Sequence, residues 1–351
     1  MTRLALVSMA PDDPRVDVVV PHAFTSAKEQ LDELARDLKR PASAFLDLPF
    51  AALAEVVGGI PEGELWYAGA FSGDGKTAFF TSLVLACLEQ GKRVYYVPTE
   101  SPGKVIKAHL ACKTLGFDVG DFLSGEYLKW PNAKEARAAV WEESKKYHPT
   151  SVENTGPFWI AESGFLTETR LEAEAAYAAE LKADLFIVDH IDHVEGIGNG
   201  LYEASVSANK TILHCAHTYG LRCFAATQFN LEAVKGNRVV RYLAPRESYV
   251  YMGNHKRMIA DGMLGLYRPL KLSGLDLKLV QAFKEGDASV KLSDILEPNT
   301  MAVHIMKHRK YGAREGKKIY LNVHHGRVQD FTLTETGSIH GIRTTKGGLF
   351  D

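Results

Sequence analysis

Between residues 69 and 78 the chain reads GAFSGDGKTA, and the residue types there suit the cradling of phosphate. Gly73 and Gly75 permit a loop whose backbone N–H groups converge. Lys76 can reach β- and γ-phosphates, and the Thr77 hydroxyl is a natural ligand for Mg²⁺. The expected nucleotide-binding set is Ser72, Gly73, Asp74, Gly75, Lys76, Thr77 and Ala78, with ATP and Mg²⁺ as cofactors. One position departs from the usual spacing. Such loops open with Gly, four intervening residues and then Gly-Lys-Ser/Thr, whereas Ala70 occupies the first position and Gly69 comes one residue early.

Three further stretches carry groups that hydrolysis of a phosphoanhydride needs. LFIVDHID, residues 185–192, brings Asp189 to the end of an apolar run, where it pairs with Thr77 as a metal-holding carboxylate. VYYVPTES places Glu100 just past another run, in position to orient and polarise a water. CFAATQFN sets Gln228 and Asn230 beyond a third, where an amide can sense the γ-phosphate. For Glu100 the bland alternative is a carboxylate at a helix start, and spacing alone does not decide for Gln228 or Asn230. His190 and His193 form an H-x-x-H with no third ligand nearby, so ordinary polar residues are expected there.

These groups need strands to carry them. Short apolar runs at Leu65–Ala68, Val94–Val97, Phe158–Ile160, Leu185–Val188 and Cys223–Thr227 alternate with helical stretches at Ala78–Gln90, Arg170–Lys182 and Ala204–Thr218. That rhythm predicts an α/β domain with a mostly parallel central sheet flanked by helices. In such sheets chemistry gathers at the carboxyl ends of the strands. SAKEQLDELARDLKR, residues 26–40, predicts a short amphipathic linker helix stopped by Pro41. Residues 269–300 break the rhythm like an insertion, before a final β section at Val303–Met306 and Lys318–Val323. The expected division is a tail and linker helix over 1–41, a motor domain over 42–335, and a C-terminal tail over 336–351.

Composition excludes several classes. The 351 residues are 46% hydrophobic and 24% charged, ordinary for a soluble globular protein. No apolar run is long enough for a membrane span, and Asp12 and Asp13 interrupt the N-terminal apolar patch, so a cytoplasmic protein is expected. Cys87, Cys112, Cys215 and Cys223 show no C-x-x-C pairing, which argues for reduced thiols. The net charge of −2 hides an asymmetry: residues 1–230 sum to −10 and residues 231–351 to +8. Residues 235–257 hold six Lys/Arg against one Glu, and residues 301–327 hold seven against one. A polyanion-facing side is one reading and a solvated basic face the other. The first makes Lys235, Arg238, Arg241, Lys256 and Arg257 candidates for DNA backbone contacts, with Tyr249 and Tyr251 as stacking candidates.

Taken in order, these segments resemble the motor domain of DnaB-type hexameric replicative helicases, members of the RecA-like ATPases. AFSGDGKT is similar to that family's A-R-P-S-x-G-K-T, which also has Ala at the first position. VVGGIPEGEL, VYYVPTES, LFIVDHIDHV and CFAATQFN match the family's lead-in, glutamate strand, magnesium strand and glutamine strand, and HIMKHRKYGAREG resembles I-x-K-x-R-x-G-x-T-G. The likeness spans residues 42 to 332. It implies that Lys307 and Arg309 act on a neighbouring subunit's ATP, that the chain assembles as a hexameric ring on single-stranded DNA, and that a primase or helicase loader is a partner. It also implies that residues 26–40 dock on an adjacent protomer; packing on the chain's own domain is the alternative. The departures are Thr99-Glu100-Ser101 for Leu-Glu-Met, His190 for the usual Tyr, and an insertion without counterpart. The implied activity is ATP-driven unwinding during replication by a phage, plasmid or mobile-element enzyme. A RecA/RadA-like recombinase and a non-unwinding ATP-gated adaptor remain the alternatives.

Overall fold

A strand buried on both faces must be apolar at successive positions, and the chain supplies several of these. In the computed structural model, residues 46–48, 50–147, 157–161, 164, 166–229, 250, 253–268, 283–285, 288–290 and 299–330 are described, together with Leu31, Asp32 and Ala35. By contact density the chain divides into a unit over Met1–Ala44 and another over Phe45–Asp351. Of the predicted 26–40 helix, the three described residues are helical, and the rest of it lies outside the described residues.

The described helices of the larger unit are α1 (Ala51–Val57), α2 (Lys76–Glu89), α3 (Gly103–Leu115), α4 (Val119–Ser124), α5 (Ala133–Lys145), α6 (Glu168–Glu180), α7 (Leu201–Tyr219) and α8 (Gly253–Ile259). The strands are β1 (Leu65–Ala70), β2 (Val94–Pro98), β3 (Phe158–Ile160), β4 (Leu166–Thr167), β5 (Leu185–Asp189), β6 (Val194–Glu195), β7 (Cys223–Gln228), β8 (Gly262–Tyr267), β9 (Phe283–Glu285), β10 (Ala288–Val290), β11 (Thr300–His308), β12 (Lys318–His324) and β13 (Arg327–Asp330). Nine of them form one sheet in the order β13-β12-β11-β8-β1-β7-β5-β2-β3. From β8 to β3 every pairing is parallel, whereas β11, β12 and β13 run antiparallel to their neighbours. A short β9–β10 hairpin lies within the expected insertion.

Alternation along each strand splits the core between the two faces of the sheet. Trp66, Ala68, Tyr96, Leu185 and Ile187 join Phe79, Leu83 and Leu110 from α2 and α3 in one cluster. Leu65, Tyr67, Tyr95, Val97, Phe186 and Val188 join Leu171, Ala175 and Ile212 from α6 and α7 in the other. Both faces of β1, β2 and β5 are therefore closed to water, and their only outlet is at the strand ends. No described helix is long and apolar enough to cross a membrane.

Candidate active site

In chain order the four motif-bearing strands are β1, β2, β5 and β7; in the sheet they stand side by side as β1-β7-β5-β2. Because all four are parallel, their carboxyl ends share one edge. The sheet register sets Ala70 opposite Gln228 and Pro98 opposite Asp189. This geometry brings the phosphate loop, Glu100, Asp189 and Gln228 to one edge.

Ala70 is the last, fully buried residue of β1 and accepts a hydrogen bond from the Phe229 backbone N–H at 3.0 Å. The unusual position in the motif is thus a strand residue, outside the turn itself. A Cβ on Gly69 would overlap the Phe229 ring, which is why glycine occurs one position earlier. The turn uses Gly73 and Gly75 at φ of 78° and 99°, the left-handed region that other residues avoid. A Cβ on Gly75 would also lie 2.6 Å from the Met301 Cε. Helix α2 starts at Lys76 directly after this turn. Its first N–H groups lack intrahelical acceptors, and with the helix dipole they favour an anion.

Asp189 is 5% exposed at the end of β5, and the Tyr96 hydroxyl donates to its Oδ2 at 2.7 Å. Burial raises the Asp189 pKa, opposed by the Tyr96 hydrogen bond and the Lys76 charge. A buried carboxylate with one hydrogen-bonded neutral partner among the described residues and a lysine charge nearby has the chemistry to take a divalent cation. The next residue is held from the other side. The Thr99 hydroxyl donates to the His190 carbonyl at 2.9 Å and accepts from the His190 N–H at 2.8 Å. Glu100 follows with a side chain 65% exposed, and its Oε2 lies 3.5 Å from His190 Nε2. The other ring nitrogen, Nδ1, is 3.6 Å from Asp192 Oδ2. Burial above all, then Lys76, lowers the His190 pKa to about 3, so its imidazole is neutral at pH 7.

Asp192 is the residue that sequence reasoning passed over. Its carboxylate accepts from the Gln228 N–H at 2.7 Å, from the Thr227 hydroxyl at 2.9 Å and from the Lys256 ammonium. Burial would raise the Asp192 pKa, but Lys256 and the Gln228 N–H outweigh it and the carboxyl stays ionised. Lys256 was expected on a DNA-facing surface, and here the structure corrects the reading. Its side chain is fully buried and its ammonium is held by Asp192 and Thr227, leaving no surface to meet a phosphate. Arg257 is exposed on α8. Lys235, Arg238, Arg241, Asn230, Tyr249 and Tyr251 lie outside the described residues.

Lys307 and Arg309 close the other end of α8. Lys307 Nζ donates to the carbonyls of Arg257 and Ala260. Arg309 pairs with Asp261 at 2.7 Å and reaches the carbonyls of Met258 and Ile259 at 3.2 and 3.1 Å. Both side chains are thus bound within their own chain. Arg268, also unforeseen, places Nη2 and Nε 3.5 and 3.6 Å from where a Gly75 Cβ would stand, and its buried Nε has no hydrogen-bond partner among the described residues. It follows β8, a strand the sequence did not reveal, so no sequence signal was available for it.

Comparison with known proteins bears on the fold. No family model matches the chain, and no curated protein does. Solved structures do match. A DnaB-like replicative helicase, described with its interactions with primase, superposes at a TM-score of 0.66 with 13% identity, over 88% of this chain and 67% of that one. A separately solved ATPase domain gives 0.65 and 13% over 88% of this chain and 99% of its own. The chain shares the fold of these helicase ATPase domains.

Proposed function

We propose that the chain is an ATP-hydrolysing motor of the replicative-helicase type, working as a ring on single-stranded DNA. The observation that carries the proposal is the convergence of phosphate loop, Asp189, Glu100 and Gln228 on one edge of four adjacent parallel strands. ATP with Mg²⁺, when bound, supplies the phosphoanhydride and neutralises charge upon it. Lys76 and the N–H groups at the start of α2 hold the phosphates, and Thr77 and Asp189 hold the metal. Glu100, the exposed carboxylate beside that edge, orients the attacking water. Gln228 reports the state of the γ-phosphate to the segment that follows it. Lys307 and Arg309 serve a neighbouring protomer once released from α8, so the isolated chain hydrolyses poorly. Single-stranded DNA, a hexameric assembly and a primase or loader partner belong to this reading and rest on the fold it shares with helicase ATPase domains.

Unwinding of a forked duplex by the wild type and by Lys76→Ala, with particles imaged by electron microscopy, tests it. Unwinding by wild-type rings and its loss in Lys76→Ala is the expected result. DNA-coating filaments would support a recombinase instead, and ATP hydrolysis without unwinding would support an adaptor.

A further inference from the structure

Three parts of the chain meet at Asp192: the turn after β5, the end of β7 and helix α8. Asp192 is 7% exposed, Thr227 and Lys256 are fully buried, and the Lys256 ammonium bridges Asp192 to the Thr227 hydroxyl, 2.9 Å away. The same carboxylate fixes the backbone N–H of Gln228 and faces the His190 ring, whose opposite nitrogen faces Glu100. One ion pair therefore stands directly behind Gln228, the group assigned to sensing the γ-phosphate. A fold that needed only stability could fill this space with apolar side chains at no loss.

We propose that Lys256 is a positioning residue for hydrolysis: by fixing Asp192, which accepts the Gln228 N–H, it sets where Gln228 stands at the end of β7. This deepens the ATPase reading above and rests on it. Removing Lys256 alone leaves a buried carboxylate without its counter-charge, which rotates or takes a proton and releases Gln228.

The test separates position from stability. Steady-state ATP hydrolysis and thermal unfolding are measured for the wild type, Lys256→Met, Asp192→Asn and the double variant. Each single change strands a polar group and lowers the unfolding temperature; the double change removes both charges and restores it. The expected result is a kcat that stays low in the double variant, on the order of 10- to 100-fold below wild type, since small misplacements have effects of that size. KM for ATP should stay within about threefold, because the phosphate loop is untouched. Recovery of kcat together with stability in the double variant overturns the proposal, and so does an undiminished kcat in a folded single variant. If the single variants do not fold, the double variant decides alone. A wild type that binds ATP without hydrolysing it overturns the ATPase reading itself, and this inference with it. An active wild type matched by the double variant overturns this inference only.

Discussion

Among the described residues of the larger unit two lysines are buried, and their surroundings differ in kind. Lys113, on α3, donates to the Ala78 carbonyl and to the hydroxyls of Thr81 and Ser82 on α2, and no described carboxylate accepts from it. Burial first, and Arg327 second, pushes its pKa well below the ordinary lysine value. Lys256, on α8, is also pushed down by burial, but Asp192 opposes the shift and keeps the pair ionic. One amine clips two helices together; the other holds a charge at a working edge. Burial alone thus says little about a lysine's task, and the acceptor decides.

That contrast predicts opposite signs for the same substitution. Lys256→Met leaves Asp192 unpaired in a buried site and should cost about 3–5 kcal/mol of unfolding free energy in denaturant titrations. Equal stability to wild type would dissolve the distinction. Lys113→Met should instead raise stability at pH 7, on the order of 1 kcal/mol. Its folded pKa is depressed, so the wild type loses stability as pH falls below the unfolded value of about 10.4. The gain from Lys113→Met should therefore shrink as pH rises toward that value, and a gain that grows with pH would refute the downward shift.

A smaller effect sharpens the same comparison among histidines. His109, one turn before Lys113, is lowered to about 4 by burial first and by Lys113 second, and its Nδ1 has no hydrogen-bond partner among the described residues. Stability associated with a neutral His109 is complete above about pH 6.5 and is lost progressively as pH falls toward 4. His109→Leu should flatten that part of the pH–stability curve, by roughly 1 kcal/mol per pH unit at most. An unchanged slope would show that the ring is protonated in the folded chain.

Much of the fold was legible because its strands are closed on both faces. VYYV, LFIV and CFAAT are continuous apolar runs that admit few other placements, and each gained only a residue or two in the structure. β8 was missed: GMLGLY carries two glycines, which lowers strand propensity, and its place beside β1 is set by packing. The glycine turn before α2 and the strand-end position of Asp189 were legible because both are local features. The Asp192–Lys256 pair was not. Its members are 64 residues apart on a 3-10 turn and a short helix, and no spacing rule connects them. The basic run that suggested a nucleic-acid surface counted Lys256 as solvated, because charge along a sequence does not reveal which ammonium the fold turns inward.

Phe229 gives the edge a mechanical property. Its N–H is bonded to Ala70, its ring covers Gly69 and meets Phe71 edge-on at 5.2 Å, and its backbone bridges to Val250. The stretch 230–249 therefore begins and ends at one joint, and that joint is bolted to the first turn of the phosphate loop. The phosphate loop and the two flanks of that stretch therefore share one anchor, the Phe229 joint. Ala70, the position that looked like a flaw in a motif, is the strand end to which that anchor is bonded.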